Sequence, residues 1–220
     1  MRVRRIVDLS RTVSGDTQVY PGDPVPVLTP HATLERDGYN LLRVEIGSQT
    51  GTHVDAPLHM RAGAAPIDRV PLEHFVGRGI VLDVRGLPPR TAVTRQHLVD
   101  GVAGGPDPGP GDIVLLHTGW AEHYGTDAYF EHPCLSEDAC RWLLGRGVRT
   151  IGLDAPSIDS ALGSDYPAHR LVAEAGGIVC ENLCNLELVD FPDPLISLLP
   201  LRLRDADGAP VRAVAIALEP

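Results

Sequence analysis

Short apolar runs rich in β-branched residues, bounded by Gly, Pro or Asp, recur at residues 6–9, 41–46, 80–84, 113–116, 150–153, 177–180 and 211–218. They read as strands. The run 41–46 has its own pattern: Leu42, Val44 and Ile46 alternate with Arg43 and Glu45, which predicts a strand with one buried face leading into a polar loop from Ser48. Helical spacing appears after Ser136, a capping residue, where Ala139, Trp142, Leu143 and Leu144 fall on one face before Gly145 and Gly147 end the helix. A second helix is predicted over 167–175, with Pro167 in the first turn and Gly176 as its stop. Shorter helical turns are expected at 71–75 and 94–99. Strands alternating with helices indicate an α/β fold, and this many strands are enough for a closed or strongly curved sheet.

Composition narrows the picture. With 220 residues and 43% hydrophobic content the chain can bury a substantial core, and one domain over 1–220 is expected. The Gly/Pro-rich segment 104–111 reads as a surface loop within it. The formal net charge is −10, and all 19 basic residues are Arg, so no Lys-rich run exists to grip a phosphate backbone and no nucleic-acid partner is expected. No apolar run approaches the roughly 20 residues of a membrane span, and Asp8 interrupts the apolar start, so a cytoplasmic protein is expected. Cys134, Cys140, Cys180 and Cys184 are too few for a disulfide framework and are expected as thiols.

Chemistry concentrates in one segment. Gln49, His53, Asp55 and His59 lie within eleven residues, with Gly51 permitting an unusual backbone angle and Pro57 stiffening the exit. Imidazole and carboxylate at this density suit zinc, manganese or ferrous iron, although a His-x-Asp pair can equally be a structural hydrogen-bonding pair. A second polar cluster strengthens the metal reading: Asp154 closing a strand, Asp159, His169 and Glu181 directly after the run ending at Cys180.

The segment Thr50-Gly51-Thr52-His53-Val54-Asp55-Ala56-Pro57-Leu58-His59 resembles the His-x-Gly-Thr-His-x-Asp-x-Pro-x-His motif of the cyclase family that includes bacterial kynurenine formamidases and isatin hydrolases. Val19-Tyr20-Pro21-Gly22-Asp23, Ile67-Asp68-Arg69-Val70-Pro71-Leu72, Gly111 to Gly119 and Gly152 to Asp159 support it in the family's order. The resemblance implies a swivelling β/β/α fold with a curved, barrel-like central sheet and peripheral helices. It implies that His53, Asp55, His169 and Glu181 are ligands of one or two divalent ions, zinc or manganese, with Asp55 and Glu181 able to bridge a pair, and that His59 transfers protons. Tyr20 stands where an aromatic residue stacks on substrate in the formamidases. A homodimer or homotetramer acting on a small molecule follows.

Gln49 departs from the motif, which has a ligating His there. It can ligate weakly through its carbonyl oxygen and favour manganese, leave one ion position weakened, or turn to substrate. The activity expected is metal-dependent hydrolysis of a small amide or lactone. Its alternatives are a metal-dependent cyclase or dehydratase of secondary metabolism and a metal-free binding protein of the same fold. His117 reads as a buried His bonded to a neighbour, and Tyr124, Tyr129 and Phe130 as an aromatic patch that packs or covers a pocket.

Overall fold

The computed structural model describes residues 2–102 and 105–219. Its strands, in chain order, are β1 (Arg2–Asp8), β2 (Val27–Ala32), β3 (Leu41–Glu45), β4 (His53–Asp55), β5 (Val76–Asp83), β6 (Ala92–Val93), β7 (Ile113–His117), β8 (Cys134–Leu135), β9 (Thr150–Leu153), β10 (Ile178–Glu181), β11 (Leu195–Ser197), β12 (Gly208–Pro210) and β13 (Val214–Glu219). The helices are α1 (Leu34–Asp37), α2 (Arg95–Gly101), α3 (Glu137–Gly145) and α4 (Pro167–Glu174). Nine strands form one mixed sheet in the order β1-β13-β11-β5-β7-β9-β10-β4-β12. The protein is α/β as the sequence predicts, but β1 and β12 are separate edges and the sheet is not a closed barrel. Gly104 of the predicted Gly/Pro loop lies outside the described residues; Gly105, Pro106 and Asp107 are exposed.

The middle of the sheet, β5-β7-β9-β10, is parallel. Its strands are continuous apolar runs because both faces are covered. On one face Val114, Leu116, Ile151, Leu153 and Val179 pack against Leu98 of α2, Ala139, Cys140 and Leu143 of α3, and Ala168 and Val172 of α4. On the other, Ile113, Leu115, Ile178 and Cys180 join Val54, Ile196, Ala209 and Ala215. Each buried Leu, Ile or Val contributes about 1.5–3 kcal/mol relative to exposure. Ser136 caps α3 as the sequence predicts, accepting from Ala139 N, and Thr94, not foreseen as a cap, forms a capping box with His97 on α2. All four cysteines are free thiols.

The expectation of a buried face on residues 41–46 fails. β3 pairs only with β2 in a separate two-stranded ribbon, and Leu41, Leu42 and Val44 are 48%, 50% and 50% exposed. Alternation identifies a pleat; it does not supply a surface to bury it against. Residues 53–55, read as part of a loop, are instead a strand of the main sheet.

Candidate metal and proton-transfer site

The site grows from the pairing of β4. It lies antiparallel to β10, with His53 opposite Glu181 and Asp55 opposite Val179, and antiparallel to β12 on its other side. The two-residue period sends Val54, fully buried, to one core and turns His53 and Asp55 to the face that carries Glu181. Glu181 closes β10 at the carboxyl end of a parallel strand, the usual place for a site in such sheets. The first turn of α4 brings His169 over this face. Asp159 fixes it there: its Oδ1 accepts from Ala168 N at 2.9 Å, and its Oδ2 accepts from His169 N at 2.9 Å and His169 Nδ1 at 2.8 Å. One carboxylate thus caps the helix and sets the imidazole.

His53, Asp55, His169 and Glu181 are 2–5% exposed. His169 Nε2 lies 3.5 Å from Asp55 Oδ2 and 3.2 Å from Glu181 Oε1. His53 Nε2 lies 3.6 Å from Asp55 Oδ1 and 3.5 Å from Glu181 Oε2. The left-handed Gly51 (φ 65°) presents its carbonyl to His53 Nδ1 at 2.9 Å, so that nitrogen carries the proton and Nε2 faces the carboxylates. His53 Nε2 and Asp55 Oδ2 are buried and have no hydrogen-bond partner.

Acceptor atoms facing one another in a buried site call for a positive charge between them. Without an ion, protons supply it. Burial pulls the His53 pKa down, but the charges of Asp55 and Glu181 reverse this and push it up to about 9. His169 is likewise raised well above the ordinary value: its burial is outweighed by Asp159, Asp55 and Glu181. For Asp55 and Glu181, burial raises the carboxyl pKa and the imidazoles more than offset it, so both are lowered. One ligand atom each from His53, Asp55 and Glu181 lies within 4.8 Å of the others. Two imidazoles and two carboxylates, with both histidines held from behind, fit a divalent metal ion.

His59 ends a 3-10 turn, Pro57–His59, at the rim of this cluster. Its ring centroid is 6.0 Å from that of His169, and its Nδ1 lies 3.0 Å from Asp207 Oδ2. With Nδ1 donating to Asp207, Nε2 is the nitrogen free to exchange a proton. Burial lowers the His59 pKa, and Asp207 and Asp55 raise it by more, leaving a net rise. Gln49 lies between Asp55, Asp207 and His59.

A cavity of about 410 Å³ opens onto His53, His59, His169 and Glu181. Tyr20, Tyr129, Phe130 and Tyr166 line it, and the Tyr20 and Phe130 rings meet edge to face at 6.3 Å. Tyr20 Oη donates to Ala161 O at 3.2 Å, which fixes the ring in the wall. The structure brings Tyr20, Gln49, His53, Asp55, His59, His169 and Glu181 around one region. Asp154, part of the second polar cluster in the sequence, stands apart: it accepts from Thr118 N, Thr118 Oγ1 and Gly119 N, and His117 packs 4.0 Å away. Sequence reasoning placed Asp159 in the second polar cluster without seeing it as a brace, and passed over Asp207. Asp207 sits in the bend that leads into β12, and its partner His59 is 148 residues away.

The fold and this donor set define a metal-dependent enzyme of the α/β class. Residues 7–160 match the family described as "Putative cyclase", and the chain belongs to that family. It is 36% identical to a kynurenine formamidase of Bordetella pertussis over 220 residues, covering 96% of this chain and 98% of that protein. It is 35% identical to a kynurenine formamidase of Salinibacter ruber over 217 residues, covering 95% and 96%. A solved isatin hydrolase bound to the product analogue thioisatinate superposes with a TM-score of 0.88 at 20% identity, over 97% of this chain and 92% of that one, which establishes the fold. A structure described as a potential metal-dependent hydrolase with cyclase activity is 29% identical with a TM-score of 0.78, covering 98% and 99%.

Proposed function

We propose that this chain is an arylformamidase-like hydrolase that opens a small amide or lactone carried on an aromatic ring. The observation that carries the reading is the pair of buried atoms without partners, His53 Nε2 and Asp55 Oδ2, the first on a residue that lines an aromatic-walled cavity. A zinc or manganese ion held by His53, Asp55, His169 and Glu181 would, when bound, acidify water and polarise the substrate carbonyl.

The remaining work falls to side chains. Tyr20, Phe130 and Tyr166 enclose a planar ring and shed water from it. His59 Nε2 takes the proton from water as its oxygen bonds to the carbonyl carbon, and returns it to the leaving nitrogen or oxygen as that bond to carbon breaks. Asp207 keeps the His59 ring turned for both transfers. The relatives named kynurenine formamidase support an N-formyl arylamine as substrate; the isatin hydrolase, alike in fold alone, supplies a cyclic amide to test beside it.

The test is a hydrolysis panel of N-formylkynurenine, isatin and simple aryl lactones, run with metal analysis of protein purified without chelator. Formate or a carboxylate should be released, the activity should vanish with EDTA, and manganese or zinc should restore it. Absence of bound divalent ion, with no response to added metal, would overturn the proposal. Ring closure or dehydration in place of hydrolysis would reassign the activity to a cyclase.

We also propose a homodimer or homotetramer in the cytoplasm. Exposed Val27, Leu41, Leu42 and Val44 on the β2–β3 ribbon support a subunit contact, and light scattering on the purified protein tests it. Among the described residues no helix is long and apolar enough to cross a membrane.

A further inference from the structure

Gln49 shows what its side chain does at the position where a ligating His was expected. Its Nε2 lies 3.1 Å from Asp55 Oδ1 and 3.2 Å from Asp207 Oδ2. Its Oε1 lies 2.7 Å from Ser48 Oγ, whose single proton it shares with Asp207 Oδ1 at 2.9 Å. Carboxylates only accept, so the end of the amide between two of them must be the NH₂ group. Both amide protons are therefore used, one on each carboxylate. The carbonyl oxygen, the atom able to ligate a metal, faces the Ser48 hydroxyl.

The amide also occupies the oxygen that a second ion would need. Asp55 Oδ1 is the oxygen facing His53, and it already accepts the Gln49 proton, whereas Oδ2, facing His169, is bare. A carboxylate bridges two ions by giving an oxygen to each, and an N–H dipole directed at Oδ1 opposes a cation in the same space. The amide has little freedom to swing away. Gly208 of β12 packs against it so closely that a Cβ there would stand 2.7 Å from Gln49 Nε2. Two carboxylates, Asp55 and Glu181, also balance the charge of one divalent ion.

We infer that each chain binds one divalent ion, with Gln49 not a ligand: its amide is an uncharged stand-in for the second ion that a histidine at position 49 would help to hold. This inference rests on the metal reading of the site made above.

The experiment is a metal count. Protein stripped with chelator is titrated with Mn²⁺ by calorimetry, desalted and analysed for metal, and the loaded sample is examined by electron paramagnetic resonance. Wild type should take up one equivalent and give the spectrum of an isolated Mn²⁺ ion. Gln49→His, and Gln49→Glu as the variant closest in shape, should take up two and show spin coupling between neighbouring ions. Two equivalents in the wild type would overturn the inference, as would both variants folding and still binding one. If neither variant folds, the wild-type count decides alone. No uptake by the wild type would sink the metal reading itself, a different result from two equivalents.

Discussion

Two histidines in this protein are each turned by an aspartate, and the two pairs differ in their surroundings. His169 and Asp159 are 5% and 2% exposed, and Asp159 spends its other hydrogen bonds on the backbone of α4. His59 and Asp207 have side chains 26% and 41% exposed at the mouth of the cavity, where Asp207 also meets Ser48 and Gln49. In the mechanism proposed above, the same carboxylate–imidazole unit serves as a fixed ligand where it is sealed in a helix N-terminus, and as a proton carrier where it borders solvent and substrate.

Breaking the solvent-side pair should have the largest effect on turnover. His59→Ala should lower kcat by about 10²–10⁴-fold, the usual worth of a general acid–base, while metal content measured on the same sample stays at the wild-type level. Loss of the ion would move His59 into the ligand set and erase the contrast. Breaking the sealed pair should act on binding instead: Asp159→Asn should weaken metal affinity by about 10–100-fold, read by competition with a chelating dye. Unchanged affinity there would mean that α4 alone positions His169. Asp207→Asn should be milder, about 10-fold in kcat with KM and metal content unchanged, because an exposed brace constrains its imidazole less.

A third carboxylate pair, remote from chemistry, calibrates these effects. Arg78 forks onto Asp112 with two 2.8 Å hydrogen bonds and holds that carboxyl below its ordinary pKa. Arg78→Ala should leave turnover unchanged and cost about 1 kcal/mol at neutral pH, allowing for the solvent screening of a half-exposed guanidinium. Since the folded pKa is depressed, this stabilisation is present above the carboxylate range and disappears as pH falls through it. Denaturant midpoints of wild type and variant should therefore converge on acidification; a constant gap would mean that packing of the Arg stem carries the loss.

The contrast also explains what could be read from the chain. His53, Asp55 and His59 are close in sequence because a strand and the turn after it deliver them to one site, so spacing exposes them. His169 and Glu181 were joined to them first as a second polar cluster and then by the family resemblance. Asp159 stood in the second polar cluster without a bracing role, and Asp207, in the bend before β12, drew none, since bracing is a relation to one distant imidazole that leaves no periodic mark. In the fold, β5, β7, β9 and β10 are legible because burial on both faces makes them continuous apolar runs. The three-residue strands β4, β11 and β12 fall below the length at which periodicity can be seen. β3 misleads for the opposite reason: its alternation is clear, but the ribbon it forms carries it away from the core.

The pairing of β4 with β10 has a consequence for how the molecule is assembled. His53 stands directly opposite Glu181, and a slip of β10 by one residue would turn Glu181 to the opposite face, in among the apolar side chains packed around Val54. Proper alignment of the strands and the ability to capture an ion are therefore one condition. During folding the cation would act as a proofreader, staying bound only to chains whose strands have docked correctly.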